Sequence, residues 1–141
     1  MTTERILLTV RTTQIPDGEL PEIMELQSEG TLTRYPDRVE LSYVESEMTG
    51  LEGVATTFTV FTDGSVRLTR DGDALQSCMN FRLNEADDSL YDVGFGALLL
   101  TVTARRIQID WVRHLLEVEY DVQVEHCRMG TNLYHIEYRK L

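Results

Sequence analysis

The chain has 141 residues, enough for one domain spanning 1–141 and for a hydrophobic core that needs no disulfide or metal to hold it. Hydrophobic residues make up 42% and charged residues 26%, the balance of an ordinary folded protein, and no low-complexity run argues for disorder. The net charge of −11 repels nucleic-acid phosphates and anionic membrane surfaces, so neither is expected as a partner; it reads first as a solvating surface.

The first segment, MTTERILLTVRTTQ, alternates: Ile6, Leu8 and Val10 fall on one face. Its apolar run is too short and too polar for a signal peptide or a membrane span. A cytoplasmic location is therefore expected, where Cys78 and Cys127 stay reduced. These two cysteines lack a Cys-x-x-Cys unit or any metal-ligand spacing, so no zinc site is implied.

Asp17-Gly18, ahead of Pro21, marks a first turn. The run from Ile23 to Tyr35 follows, with Gly30 read as a bulge or sharp bend. Pro36-Asp37 turns the chain into the alternation of Val39, Leu41 and Tyr43. YVESEMTGLEG comes next and breaks the pattern, with Glu45, Glu47 and Glu52 around Thr49-Gly50 and Gly53. Three carboxylates could offer oxygens to a hard cation, but the spacing is not that of an EF-hand loop, and a structural corner is the better reading. Gly50 and Gly53 suit positive φ there.

Asp63-Gly64 and Asp71-Gly72 sit at hairpin spacing around a strand carrying Val66, Leu68 and Arg70, and such turns call for positive φ. Arg70 is expected to pair with Glu45 or Glu47 at one end of the fold, tying the corner down through a charge-assisted contact. Met79, Phe81 and Leu83 alternate in the next strand. The segment Ala97–Ala104 is apolar on both faces near Leu98, Leu99 and Leu100; its β-branched Thr101, Val102 and Thr103 favour a strand covered on both sides at one end. Ile107, Ile109 and Trp111 alternate, as do Leu116, Val118, Tyr120, Val122 and Val124. Opposite these last lie Glu117, Glu119 and Asp121, which with Glu125 form an acidic stripe suited to solvating the sheet and blocking edge pairing. Met129-Gly130 marks a final turn before Leu133 and the alternation of Tyr134, Ile136 and Tyr138.

No segment carries a sustained helical stripe. Eight to ten strands joined mainly by hairpins predict an all-β, antiparallel, up-and-down barrel, closed so that no edge is left unpaired. A lumen of that size is filled by side chains or holds one small ligand.

The pieces YVESEMTGLEGVATTFTV, LTRDGDALQSCMNF, LYDVGFGALLLTVTARRIQID, LEVEYDVQVE and TNLYHIEY are together similar to the YwiB-like family of bacterial domains of unknown function. The most specific is the Glu-x-x-x-Thr-Gly-Leu-x-Gly core at Glu45, Thr49, Gly50, Leu51 and Gly53, supported by Arg70 with Gly72 and by Tyr91 with Gly96. Where relatives tend to read Tyr-x-Thr-Pro-Tyr-Gly, this chain has Tyr91-Asp92-Val93-Gly94-Phe95-Gly96, which lacks the proline, and the Gly-x-Trp of true lipocalins is missing. The resemblance implies a calycin-like (lipocalin-like) barrel in a cytoplasmic bacterial protein, and carries over no catalytic or binding residue.

His114, His126 and His135 lie on three segments with no ligand spacing, so no metal or other cofactor is expected. No nucleophile–base pair emerges, and a non-enzymatic role is expected. Two roles remain: binding of a small molecule in the lumen or at its mouth, or a structural module that associates with a protein partner or with itself. For a mouth, the candidate ligand-binding residues are Glu45, Glu47, Thr49 and Arg70, with Tyr91 and Tyr120 as aromatic lining.

Overall fold

In the computed structural model, residues 1–73, 75–92 and 94–141 are described; Ala74 and Val93, which fall in two of the segments that carry the family resemblance, lie outside them. Ten strands run in chain order: β1 (Thr2–Pro16), β2 (Glu22–Arg34), β3 (Arg38–Val44), β4 (Ala55–Phe61), β5 (Val66–Asp71), β6 (Gln76–Phe81), β7 (Ala86–Asp92), β8 (Ala97–Asp110), β9 (Leu115–Val124) and β10 (Cys127–Lys140). Each pairs antiparallel with the next, and β1 pairs with β10, so the meander closes into a barrel. This is the up-and-down barrel the period-two pattern predicts. Among the described residues no helix is long and apolar enough to cross a membrane.

The alternation places one apolar face inward. Ile6, Leu8, Leu32, Leu41, Phe58 and Leu68 are fully buried, as are Phe81, Leu116, Val118 and Ile136. Removing this surface from water is the main term stabilising the fold. Leu98, Leu100, Val102 and Ala104 carry the inward face of β8 along even numbers, whereas Ile107 and Ile109 carry it along odd ones. The switch is a β-bulge between Ala104 and Arg106, where the register to β9 shifts by one.

Four local expectations are corrected. Gly30 makes no bulge: it sits in regular register with Ile6 and Tyr43. A Cβ there would stand 2.2 Å from the Ser42 carbonyl oxygen and 2.6 Å from a Leu8 methyl, so glycine permits close packing instead. Met129-Gly130 is not a turn but a register shift inside β10, and the chain reverses at Glu125-His126, both at positive φ as a two-residue hairpin requires. Gly72 does not take positive φ; its missing Cβ leaves room for Val54. Leu98 is not covered on both faces but is 43% exposed at the barrel end.

The acidic stripe also differs from expectation. β9 lies between β8 and β10, so there is no edge to protect. Glu117 instead makes a cross-strand ion pair with Arg106 and contacts the His135 ring, and Asp121 makes ion pairs with Arg105 and Arg128. The Glu125 carboxylate accepts from the Leu99 backbone N–H at 2.7 Å. Both cysteines are free thiols.

Strand lengths divide the barrel into two walls. β8, β9, β10, β1 and β2 have ten to fifteen residues, and β3 to β7 have six or seven. At the end that carries the β1–β2, β3–β4, β5–β6, β7–β8 and β9–β10 connections, Glu22–Glu29 of β2 rises above β3 and forms a rim; β8 ends level with β7 there and runs past it at the opposite end, over Ala104–Asp110. β7 was not apparent from the sequence, because its inward positions include the polar Asp87 and Ser89. Among the described residues it joins β6 through a single backbone pairing, Gln76 with Asp92.

Candidate functional site

The low wall carries polar residues on its inner face just below that rim. Tyr43 on β3 is registered with Thr56 on β4, Thr56 with Arg70 on β5, and Arg70 with Ser77 on β6. Because side chains alternate, all four belong to the same inward face as Leu41, Phe58, Leu68 and Met79. They form a polar shelf on top of an apolar core.

Glu45 joins this shelf from the corner. The strand ends at Val44, yet the Glu45 N–H still donates to the Val54 carbonyl at 2.8 Å and its carbonyl accepts from the Gly53 N–H. This keeps the inward direction, and Glu45 is buried at 4% exposure. Its carboxylate accepts a 2.7 Å hydrogen bond from the Thr56 hydroxyl. Gly50 and Gly53 take positive φ, +75° and +84°, as expected of the corner. Glu47 and Thr49 lie in a 3-10 turn whose start is capped by the Ser46 hydroxyl. The Thr49 hydroxyl donates to the Ser46 carbonyl, and Glu47 points to solvent. So the corner delivers one carboxylate inward and leaves the other outside.

The expected pairing of Arg70 is corrected in the same place. Its guanidinium donates to the Tyr134 hydroxyl at 2.6 Å, across the lumen from β10, and not to Glu45 or Glu47. Glu45 lies opposite Val54, and its side chain reaches Thr56 on β4, one strand short of Arg70; β10 reaches across to Arg70 instead. Nε of Arg70 is buried with no hydrogen-bond partner. Burial works against the charge on Arg70, but Tyr134, then Tyr43 and Glu45, outweigh it and hold the group firmly protonated. Burial first, and the Glu45 carboxylate second, push the Tyr43 hydroxyl far above its ordinary range.

Above the shelf lies a cavity of about 220 Å³ that opens at the rim. Arg70, Tyr120, Tyr134 and Asn132 supply its polar lining, with Tyr91 and Gln14. Met79, Leu98, Leu100, Val122 and Val124 supply the apolar part. Asn132 donates to the Tyr120 hydroxyl at 3.4 Å. The rings of Tyr120 and Tyr134 stack with centroids 6.1 Å apart; Tyr134 also meets Phe58 edge-on at 5.3 Å. Burial holds the Tyr120 hydroxyl well above its ordinary pKa, so it stays a neutral donor.

Of the six candidates drawn from the sequence, Arg70, Tyr91 and Tyr120 line the cavity, Glu45 stands behind it on the shelf, and Glu47 and Thr49 lie outside on the corner. Tyr134, Asn132 and Gln14 are brought in by the fold. Tyr134 was legible as an inward residue of the last strand, but nothing local signals that it meets Arg70, sixty-four positions away. The three histidines are dispersed: His114 stacks on Tyr138, His126 is in a turn, and His135 faces Glu117 and Glu137. Among the described residues, no group of three or more His, Cys, Asp and Glu is placed to hold a metal ion.

A family model described as "Domain of unknown function (DUF1934)" matches residues 8–136. The chain belongs to this family. Among solved structures, the barrel resembles the ywiB protein from Bacillus subtilis with a TM-score of 0.77. The match has 24% identity and covers 96% of this chain and 92% of that one, a likeness of fold. No curated protein matches the chain.

Proposed function

We propose that this protein binds a small organic molecule in the cavity at the tall-walled mouth of the barrel. The observation that carries the reading is the combination of a mostly apolar cavity with a few convergent polar groups, Arg70, Tyr120, Asn132 and Tyr134, on rigid strands. The cavity is smaller than the roughly 300–1,000 Å³ usual for drug-sized ligands, so its occupant is small. The role is non-enzymatic and cytoplasmic in this reading, with the acidic exterior keeping the protein soluble.

One observation favours a second reading, self-association. β2 pairs with β3 only through Gly30–Arg34, so Glu22–Glu29 has a free edge, and Leu20, Ile23 and Met24 are exposed beside it. Glu22, Glu25 and Glu29 charge the same edge, and charges on an edge discourage strand pairing between copies. The ligand reading is therefore preferred.

Native mass spectrometry of the full chain, gently purified, tests both. A bound small molecule that leaves on denaturation, with amide shifts around Tyr120 and Asn132 when it is added back, supports binding. A ligand-free dimer whose interface maps to Glu22–Glu29 sinks the ligand reading and favours association.

A further inference from the structure

Resting on that binding reading, we infer that the cavity's occupant is a small monocarboxylate with an apolar body, its carboxylate held by Arg70. Arginine is the least expected residue on this face. It continues the inward series Val66 and Leu68, where burial of a charge costs stability unless a partner is supplied. The protein supplies little: of five guanidinium donors, one has a side-chain partner, Tyr134, and Nε has none. Among the described residues, no acidic one lines the cavity. Glu45 lies behind Arg70, engaged by Thr56, where it balances the charge at a distance without occupying the fork.

The surroundings narrow the ligand further. A cation is disfavoured by Arg70 itself. The hydroxyl of Tyr120 already accepts from Asn132, so its proton is left to donate, and that of Tyr134 accepts from Arg70 and likewise keeps its proton. Two hydroxyl donors beside a planar guanidinium suit a planar, singly charged carboxylate. Among the described residues Arg70 is the one cationic group lining the cavity, so the second charge of a dianion would meet no cation, within a protein of net charge −11. Met79, Leu98, Leu100, Val122 and Val124 then accept the apolar body.

The test titrates the full chain with butanoate, octanoate and benzoate, each against its alcohol, and with inorganic phosphate, followed by calorimetry and by amide and tyrosine-ring NMR shifts. At least one carboxylate is expected to shift Tyr120 and Tyr134 and to bind about tenfold or more tighter than its alcohol. Arg70→Met should weaken that carboxylate about ten- to a hundredfold and leave the alcohol unchanged. Tyr134→Phe, a gentler change, should weaken it several-fold. Alcohols that bind as tightly as carboxylates at the same resonances overturn the carboxylate inference and leave the binding reading standing. Phosphate that binds as well as any carboxylate overturns the ligand class. Cavity resonances that respond to none of these compounds overturn both.

Discussion

The two walls of the barrel do different work. The tall wall, β8–β9–β10–β1–β2, is joined by long ladders, with eleven registered pairs between β1 and β10 alone. Its outer face is laced by cross-strand ion pairs such as Arg105 with Asp121 and Arg11 with Glu25. The low wall is short, and its inner face carries Tyr43, Thr56, Arg70 and Ser77 where apolar side chains would stabilise more. Among the described residues, one registered pair joins β6 to β7, and the buried hydroxyls of Ser77 and Ser89 lack hydrogen-bond partners. A barrel needs a cooperative frame, and it can concede stability locally where a ligand must enter. Under the binding reading proposed above, the low wall is the side expected to open.

The largest effect should separate the walls directly. Ile136, fully buried in the tall wall, is packed on all sides. Ile136→Ala should cost about 3–4 kcal/mol in urea unfolding, a transfer loss plus a new void. Met79 in the low wall is also buried but already borders the cavity, so Met79→Ala enlarges an existing space and should cost about 2 kcal/mol. Equal losses would remove the energetic distinction between the walls.

The barrel was largely legible because its governing signal is local. Alternation at Ile6-Leu8-Val10 or Leu116 to Val124 assigns strand and inward face together, and Asp63-Gly64 fixes a hairpin. β7 was missed because a strand whose inward residues are Asp87, Ser89 and Tyr91 does not alternate in hydropathy. Met129-Gly130 misled because a glycine inside a bulge and a glycine in a turn look alike. For the site, Arg70 stood out two residues after Leu68, and Glu45 two after Tyr43, both on the inward period. Their partners depend on which strands face each other across a closed barrel. No local pattern encodes that Tyr134 reaches Arg70 before Glu45 does.

A smaller effect probes the low wall's own electrostatics. Glu45 is the buried carboxylate behind Arg70, and Glu45→Gln keeps its shape while removing its charge. Arg70 would then sit partly buried with no compensating carboxylate near it, and stability should fall by about 2 kcal/mol. Arg70→Met in the same chain should recover part of that loss, giving a coupling of about 1 kcal/mol in a double-mutant cycle. No coupling would mean that the shelf is a set of independent polar groups and not one charge-balanced unit. In that case the low wall differs from the tall one in length and in scattered polar groups, without a shared charge balance.

The smallest effect belongs to the outer face of the tall wall and is read through pH. Burial alone would raise the Asp121 carboxyl, but the Thr131 hydroxyl, which donates at 2.8 Å, together with Arg105 and Arg128, outweighs it and holds the group below its ordinary value. A pKa depressed by folding means that the unfolded chain binds the proton more readily. The stabilisation is therefore complete above the unfolded value of about 3.9 and is lost as pH falls through the lower folded one. Asp121→Asn should cost about 1 kcal/mol at pH 7, because these charges are only partly screened. The deficit should shrink as unfolding is repeated at successively lower pH below about 3.9, as the wild-type carboxylate itself becomes protonated. Glu117, held below its ordinary value by His135 and Arg106 against the opposing effect of burial, should behave the same way in Glu117→Gln. A deficit that stays constant with pH would assign the loss to side-chain packing. The ion pairs of the tall wall would then be decoration on a frame held by its ladders and core.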